Sequence, residues 1–377
     1  MPAVFMRKRV EKSGFLCYHT ACKRKEEIMM NLFKRIVCVA LGICLFCIAA
    51  SACGEDNSAL YAERLAGLQT PAEAAEESGE MLLHPGDTTY IPALRTEIVP
   101  YDELENAGYP AVNGSFSVSD ENVLAVDEKG MITALREGNC ELIYTASDGK
   151  HGYQVTVSEE TVPILIRNYI YVANREYYAT AQTHLEKYNT YAKWYYGKKK
   201  EVGWCSVFTI YCANASGDAV WRLKESNATK RFPALNLDES PTVLHMAEGE
   251  VGHQYDAFLK LGRFGAVPKP GYLVIYADLS KAYRTTHIAS VVDVEDRGNG
   301  VYAVTTVEGN MSNTVKRYCY LYDSNGDNHL IGADKKAKMG KLKKNMSELP
   351  ADEQTDPLVQ YQLHTDHWAV FGFCETW

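Results

Sequence analysis

From residue 81 to about 159, apolar and polar positions alternate in short runs broken by turn residues. Ser115-Phe116-Ser117-Val118-Ser119 alternates strictly, and residues 123–126 lead into the turn Asp127-Glu128-Lys129-Gly130 and a further run over 131–135. Glu137-Gly138-Asn139 interrupts before 140–145, and Asp148-Gly149-Lys150 turns the chain into 153–157. A period of two, punctuated every 8 to 12 or so residues, predicts a small β-sandwich. From Val162 the period lengthens. Leu165, Ile166, Tyr169 and Val172 mark one helical face, and the tyrosine-rich stretch 177–196 continues the pattern. Val207, Phe208, Tyr211 and Cys212 mark a second helix, with Cys205 in its first turn and Ala215-Ser216-Gly217 as its stop signal. Strands follow over 272–276, 287–294 and 301–307, and the tail from Ala351 to Trp377 reads as a final strand. Helices first and an antiparallel sheet second predict an α+β domain.

The N-terminus has a different texture. Residues 36–52 are almost wholly apolar, follow Lys34 and Arg35, and end in Ala50-Ser51-Ala52-Cys53. A charged flank, a short apolar run and small residues before a cut describe an export signal, and the run is marginal for a permanent span. Ala50-Ser51-Ala52-Cys53 resembles a bacterial lipobox lacking its usual leucine. The resemblance implies a lipid anchor on Cys53, with a plain cut after Ala52 as the alternative. Met29 and Met30 stand just ahead of the signal, so residues 1–28 read as an upstream extension. Residues 54–80, rich in Ala and Glu, read as a solvated tether, with a partly helical tether as the alternative. The expected organisation is therefore 1–53 extension and signal, 54–80 tether, 81–159 sandwich and 160–377 α+β domain.

Composition narrows the function classes. The 377-residue chain carries a net charge of -9 and no long basic stripe, which argues against nucleic acid as a partner. Six of its eleven cysteines lie at or before Cys53. The other five (Cys140, Cys205, Cys212, Cys319, Cys374) have no paired spacing, so a disulfide scaffold is not expected and a free thiol is. Cys140 reads as sandwich core and Cys212 as inward-packed.

One of these thiols sits where chemistry is favoured. At the start of a helix, unpaired N–H groups and the macrodipole stabilise an anion, which lowers the pKa of Cys205. A hairpin supplies candidate partners. Folding the chain about 297–299 brings His287 opposite Glu308 or Gly309, and a carboxylate beside an imidazole fixes its tautomer and supports the imidazolium. Asn310, two residues beyond Glu308, shares that face if the strand continues. On the hairpin alone a surface His–Glu pair would be the better reading; the Cys205 segment reverses it. Other constellations are weaker. Asp323, Asn325 and Asp327 are spaced as in a calcium loop, but Asn328 and Asp334 replace its glycine and closing glutamate. His245, His253, His364 and His367 lack zinc-site spacing, so neither metal nor cofactor is expected.

Two resemblances sharpen the expectation. "SDENVLAVDEKGMITALREGNCELIYTASDG" resembles bacterial Ig-like group 2 domains, common as surface spacers or adhesion modules. "YNTYAKWYYGKKKEVGWCSVFTIYCANASGD", "PKPGYLVIY", "HIASVVDV" and "VTTVEGN" resemble, in that order, the CHAP family of cysteine, histidine-dependent amidohydrolases and peptidases of bacterial cell-wall hydrolases. That resemblance implies a papain-like fold, Cys205 as nucleophile, His287 as base, Glu308 as orienting acid and Asn310 as a further polar site residue. It implies peptidoglycan as the substrate. Gly271-Tyr272 replaces the family's Gly-Asp, and Ala289 stands where glycine is common. The alternative expectation is a non-catalytic adhesion or wall-binding protein with an inactive fold.

Overall fold

The computed structural model describes residues 57–100, 103–217, 250–278, 284–325, 344–345, 349–361 and 368–377. The export signal, Cys53, His245, His364 and His367 lie outside them. Residues Leu60–Trp377 form one compact unit, and it is mixed α+β.

The first half holds seven short strands: β1 (Glu80–Leu83), β2 (Thr88–Tyr90), β3 (Gly114–Val118), β4 (Leu124–Val126), β5 (Met131–Ala134), β6 (Gly138–Ala146) and β7 (Gly149–Val157). They form a four-stranded sheet in the order β1-β7-β6-β3 and a three-stranded sheet β2-β5-β4. All pairs are antiparallel except β1 with β7. Alternation decides which side chains meet: Cys140, Leu142, Tyr153 and Val155 from one sheet share a core with Leu124, Ile132 and Ala134 from the other. Cys140 is part of this core, with burial raising its pKa.

Within the stretch read as a tether the chain forms two helices that both pack onto the folded cores, α1 (Ser58–Ala66) and α2 (Pro71–Ser78). The reason is local. Thr70 accepts from the Glu73 N–H at 3.1 Å, and the Glu73 carboxylate accepts from the Thr70 N–H at 2.8 Å, a capping box opened by Pro71 and closed by the left-handed Gly79. Ala75 then packs into the sandwich core, and Leu60 and Tyr61 pack against the core of the second half.

The second half is built from α3 (Ile164–Thr180), α4 (Thr190–Tyr196), α5 (Cys205–Ala215), α6 (Val251–Lys260) and a seven-stranded sheet. Its strands are β8 (Phe264–Gly265), β9 (Leu273–Asp278), β10 (Arg284–Asp296), β11 (Val301–Met311), β12 (Thr314–Asp323), β13 (Lys344–Asn345) and β14 (Trp368–Cys374), in the order β13-β12-β11-β10-β9-β14-β8. The helical pattern expected to run through 177–196 breaks. α3 stops at Thr180, and Asn189 restarts the helix by accepting from the Ala192 N–H at 3.0 Å. Tyr169, Val172, Val207 and Phe208 pack with Ile275, Ile288 and Val307 on one face of the sheet. Tyr276, Ala289, Val304 and Tyr320 form a second core on the other.

The two halves share a polar joint. Pro163 begins α3 with no side chain able to cap it. Asp87 of the sandwich does so instead, its carboxylate accepting from the Ile164 N–H at 3.0 Å and the His84 N–H at 2.8 Å. Arg167 of α3 reaches back to the carbonyl oxygens of Leu82 and Val162.

Candidate active site

Cys205 is the first residue of α5, and the Phe208 N–H to Trp204 carbonyl bond at 2.9 Å closes the helix's opening turn. No side chain caps this end. The sulfur accepts hydrogen bonds from the backbone N–H groups of Ser206 and Ile288, so both the helix terminus and strand β10 aim donors at it. It is also hydrogen-bonded to His287. His287 lies on β10, and its Nε2 is 2.9 Å from Glu308 Oε2 on β11. With Nε2 so engaged, the ring nitrogen left for the thiol is Nδ1. The structure thus brings Cys205, His287 and Glu308 into one hydrogen-bonded line across α5, β10 and β11.

The electrostatics follow from this line. Burial alone would push the Cys205 thiol up. The bond to His287, the imidazolium charge and the two backbone donors outweigh it, and the pKa falls below the ordinary thiol value. Burial would likewise lower His287. Its bonds to Cys205 and Glu308 and their negative charges overcome that and push it up to about 10. Both shifts favour the thiolate and imidazolium forms of the pair. The contrast with Cys212, two turns along the same helix, is instructive: buried without such partners, its thiol is driven well above the ordinary value.

The hairpin register differs from the expected one. Next to the turn the pairing is Asp296 with Tyr302, and a bulge between Val291 and Asp293 shifts it to Ser290 with Val307. Continued along the ladder, this sets Glu308 diagonal to His287 instead of opposite it, still on the same face and within side-chain reach. The glycine-rich turn holds Gly298, Asn299 and Gly300 all at positive φ, and so spends one more residue than a tight two-residue loop. Asn310 is displaced as well. The β11–β12 ladder slips between Glu308 and Met311, and Asn310 takes a left-handed φ of 65°. Its amide consequently turns toward the segment preceding the nucleophile: a Cβ on Gly203 would lie 3.4 Å from Asn310 Nδ2.

Comparison with family models, curated proteins and solved structures found no significant match to this chain. The site therefore stands on its geometry and on the motifs read above.

That geometry includes residues that pattern reading did not single out. Tyr276 donates to Glu308 Oε1 at 3.0 Å and Thr306 Oγ1 donates to the same oxygen at 2.7 Å. Trp368 of β14 stacks on the His287 ring, centroids 5.0 Å apart. Tyr196, at the end of α4, is pushed up by burial and then by the charges of Glu250 and Cys205, which puts the α4 terminus beside the thiol. Thr306 could have been noted as the same-face neighbour of Glu308; Tyr276 and Trp368 become neighbours only through β9 and β14, whose pairing no local signal announces. Cys205 keeps 8% of its surface exposed and His287 3%, whereas Glu308 is sealed.

The described members of the competing constellations have partners of their own. Asp323 and Asn325 close a polar turn, Asp323 accepting from the Asn325 N–H at 2.9 Å; Asp327, Asn328 and Asp334 lie outside the described residues. His253 on α6 faces Glu250 at 3.9 Å. Among the described residues no cluster of His, Cys, Asp and Glu has a metal-binding arrangement, and no helix is long and apolar enough to cross a membrane.

Proposed function

We propose that this protein is an exported cysteine amidohydrolase or peptidase that cuts an amide bond in peptidoglycan, with a papain-like CHAP catalytic domain behind an Ig-like module. The observation that carries the chemistry is the hydrogen-bonded line from Cys205 through His287 to Glu308, headed by a thiol at a bare helix N-terminus. The wall substrate rests on the CHAP-like motifs and the export signal.

In this reading the Cys205 thiolate attacks the amide carbonyl, and His287, protonated and held by Glu308, gives its proton to the departing amine. The resulting thioester is hydrolysed by water that His287, now neutral, deprotonates. The Cys205 N–H at the helix terminus helps hold the oxyanion, and the Asn310 amide, turned toward Gly203, is a candidate second donor. The lipid anchor on Cys53 and the sandwich would hold this domain at the outer face of the membrane.

Digestion of purified peptidoglycan, with Cys205→Ala as the control, tests the proposal. The wild-type protein should release new amine ends and the variant none, a loss of at least about a thousandfold. Mass spectrometry of the products identifies the bond, either sugar to peptide or within the peptide. Binding without release by both proteins would instead favour a wall-adhesion role.

A further inference from the structure

The line that ends at Glu308 does not stop there. Glu308 is fully buried, and a carboxylate in that setting needs every lone pair answered. Oε2 takes the His287 Nε2–H, and Oε1 takes the hydroxyls of Tyr276 and Thr306. Tyr276 Oη is also 2.9 Å from Tyr320 Oη. One hydroxyl has one proton. Because an ionised carboxylate can only accept, Tyr276 gives its proton to Glu308 and receives one from Tyr320. The result is a directed chain, Tyr320 to Tyr276 to Glu308, running through β12, β9 and β11 inside the second core.

We propose that Tyr276, Tyr320 and Thr306 are positioning residues, a buried run of hydroxyls that keeps Glu308 ionised and aimed at His287 and so maintains Cys205 as a thiolate. This rests on the reading of Cys205 as a nucleophile paired with His287; it does not depend on which amide is cut. Each link has a reason. Three donors on one carboxylate favour its charged form, and its charge favours the imidazolium. The imidazolium in turn favours the thiolate. Among the described residues, Lys316 is paired with Glu308 across β11 and β12, and two phenols face the line: Tyr318 on β12, near Glu308, and Tyr196 on α4, near Cys205. Both are neutral phenols at working pH, their ionisation disfavoured first by burial. No opposing charge from these two takes over the role of the hydroxyl chain.

The test is the pH dependence of Cys205 alkylation by iodoacetamide in the full chain, read on the Cys205 peptide by mass spectrometry. It needs no substrate. The other four cysteines of the folded part are buried, with thiols raised by burial, so they react later. Tyr276→Phe and Thr306→Val should raise the midpoint by about one pH unit, which is roughly tenfold slower alkylation below the midpoint. Tyr320→Phe, one step removed, should raise it by less. Tyr322→Phe is the control. Tyr322 lies in the same core and packs on Phe373 at 5.2 Å, but is outside the chain. Near-UV circular dichroism shows whether each variant keeps its packing; if Tyr276→Phe unfolds, the milder Thr306→Val carries the comparison. Midpoints of folded variants that move no more than that of Tyr322→Phe overturn the proposal, whether or not the wild type digests cell walls. A shifted midpoint in a protein that leaves peptidoglycan intact would uphold the chain and remove the wall substrate.

Discussion

At the scale of single residues, the site works by opposing burial with partners. Cys205 and Cys212 share a helix, yet one is lowered and the other raised, because only Cys205 has an imidazole and a free helix end beside it. His287 has an ordinary value of 6.5 and is raised to about 10, so its share of folding stability is complete below about 6.5 and fades as pH climbs toward 10. The same group must be protonated to serve as the acid. On the proposed reading, activity should therefore fall on an alkaline limb near pH 10. Glu308→Gln keeps the size of the side chain and removes its charge, so that limb should move down, with kcat/KM reduced at least about a hundredfold. A limb that stays in place would mean that Glu308 does not support the imidazolium.

At the scale of elements, the position of α5 over the sheet depends on a missing side chain. A Cβ on Gly309 would come within 2.5 Å of Phe208 Cβ and 3.0 Å of the Trp204 ring, so the strand carrying Glu308 and the helix carrying Cys205 touch at this glycine. Gly309→Ala should force them apart. The expected cost is about 1–3 kcal/mol in urea unfolding, with the loss of the Cys205–His287 bond seen as a thiol that titrates higher. The elements also show what a single sequence discloses. The Cys205 helix and both hairpin strands were legible because each is a strong local pattern: a burial stripe at helical spacing, or alternation ended by glycines. The pair of His287 with Glu308 was legible to within a register step or two. The bulges at Val292 and Asn310 were not, since a slip of one residue is chosen by packing against neighbouring strands. Likewise the bounds of α2 were masked by its alanines and glutamates, although Thr70-Pro71-Ala72-Glu73 is a capping box in plain view.

At the scale of the whole molecule, the sandwich does more than precede the second half. Asp87 caps α3, the helix that packs against both α5 and β10, and Arg167 ties α3 to β1. The folded part should therefore unfold in one calorimetric transition. Asp87→Ala removes the cap, lowering stability by about 1 kcal/mol and loosening the joint, which should show as faster proteolysis around residues 158–163. Two separate transitions in the wild type would show instead that the halves are independent.

The strand order carries a consequence for how the candidate site comes into being. β14 is the last strand in chain order, yet it lies inside the sheet between β9 and β8, and it delivers the indole that covers His287. A chain emerging amino end first can assemble the sandwich early, but the line of Cys205, His287 and Glu308 stays open-sided until residues 368–374 arrive to close the gap. Any chemistry of that line is thus withheld from every shorter precursor, a timing lock written into topology.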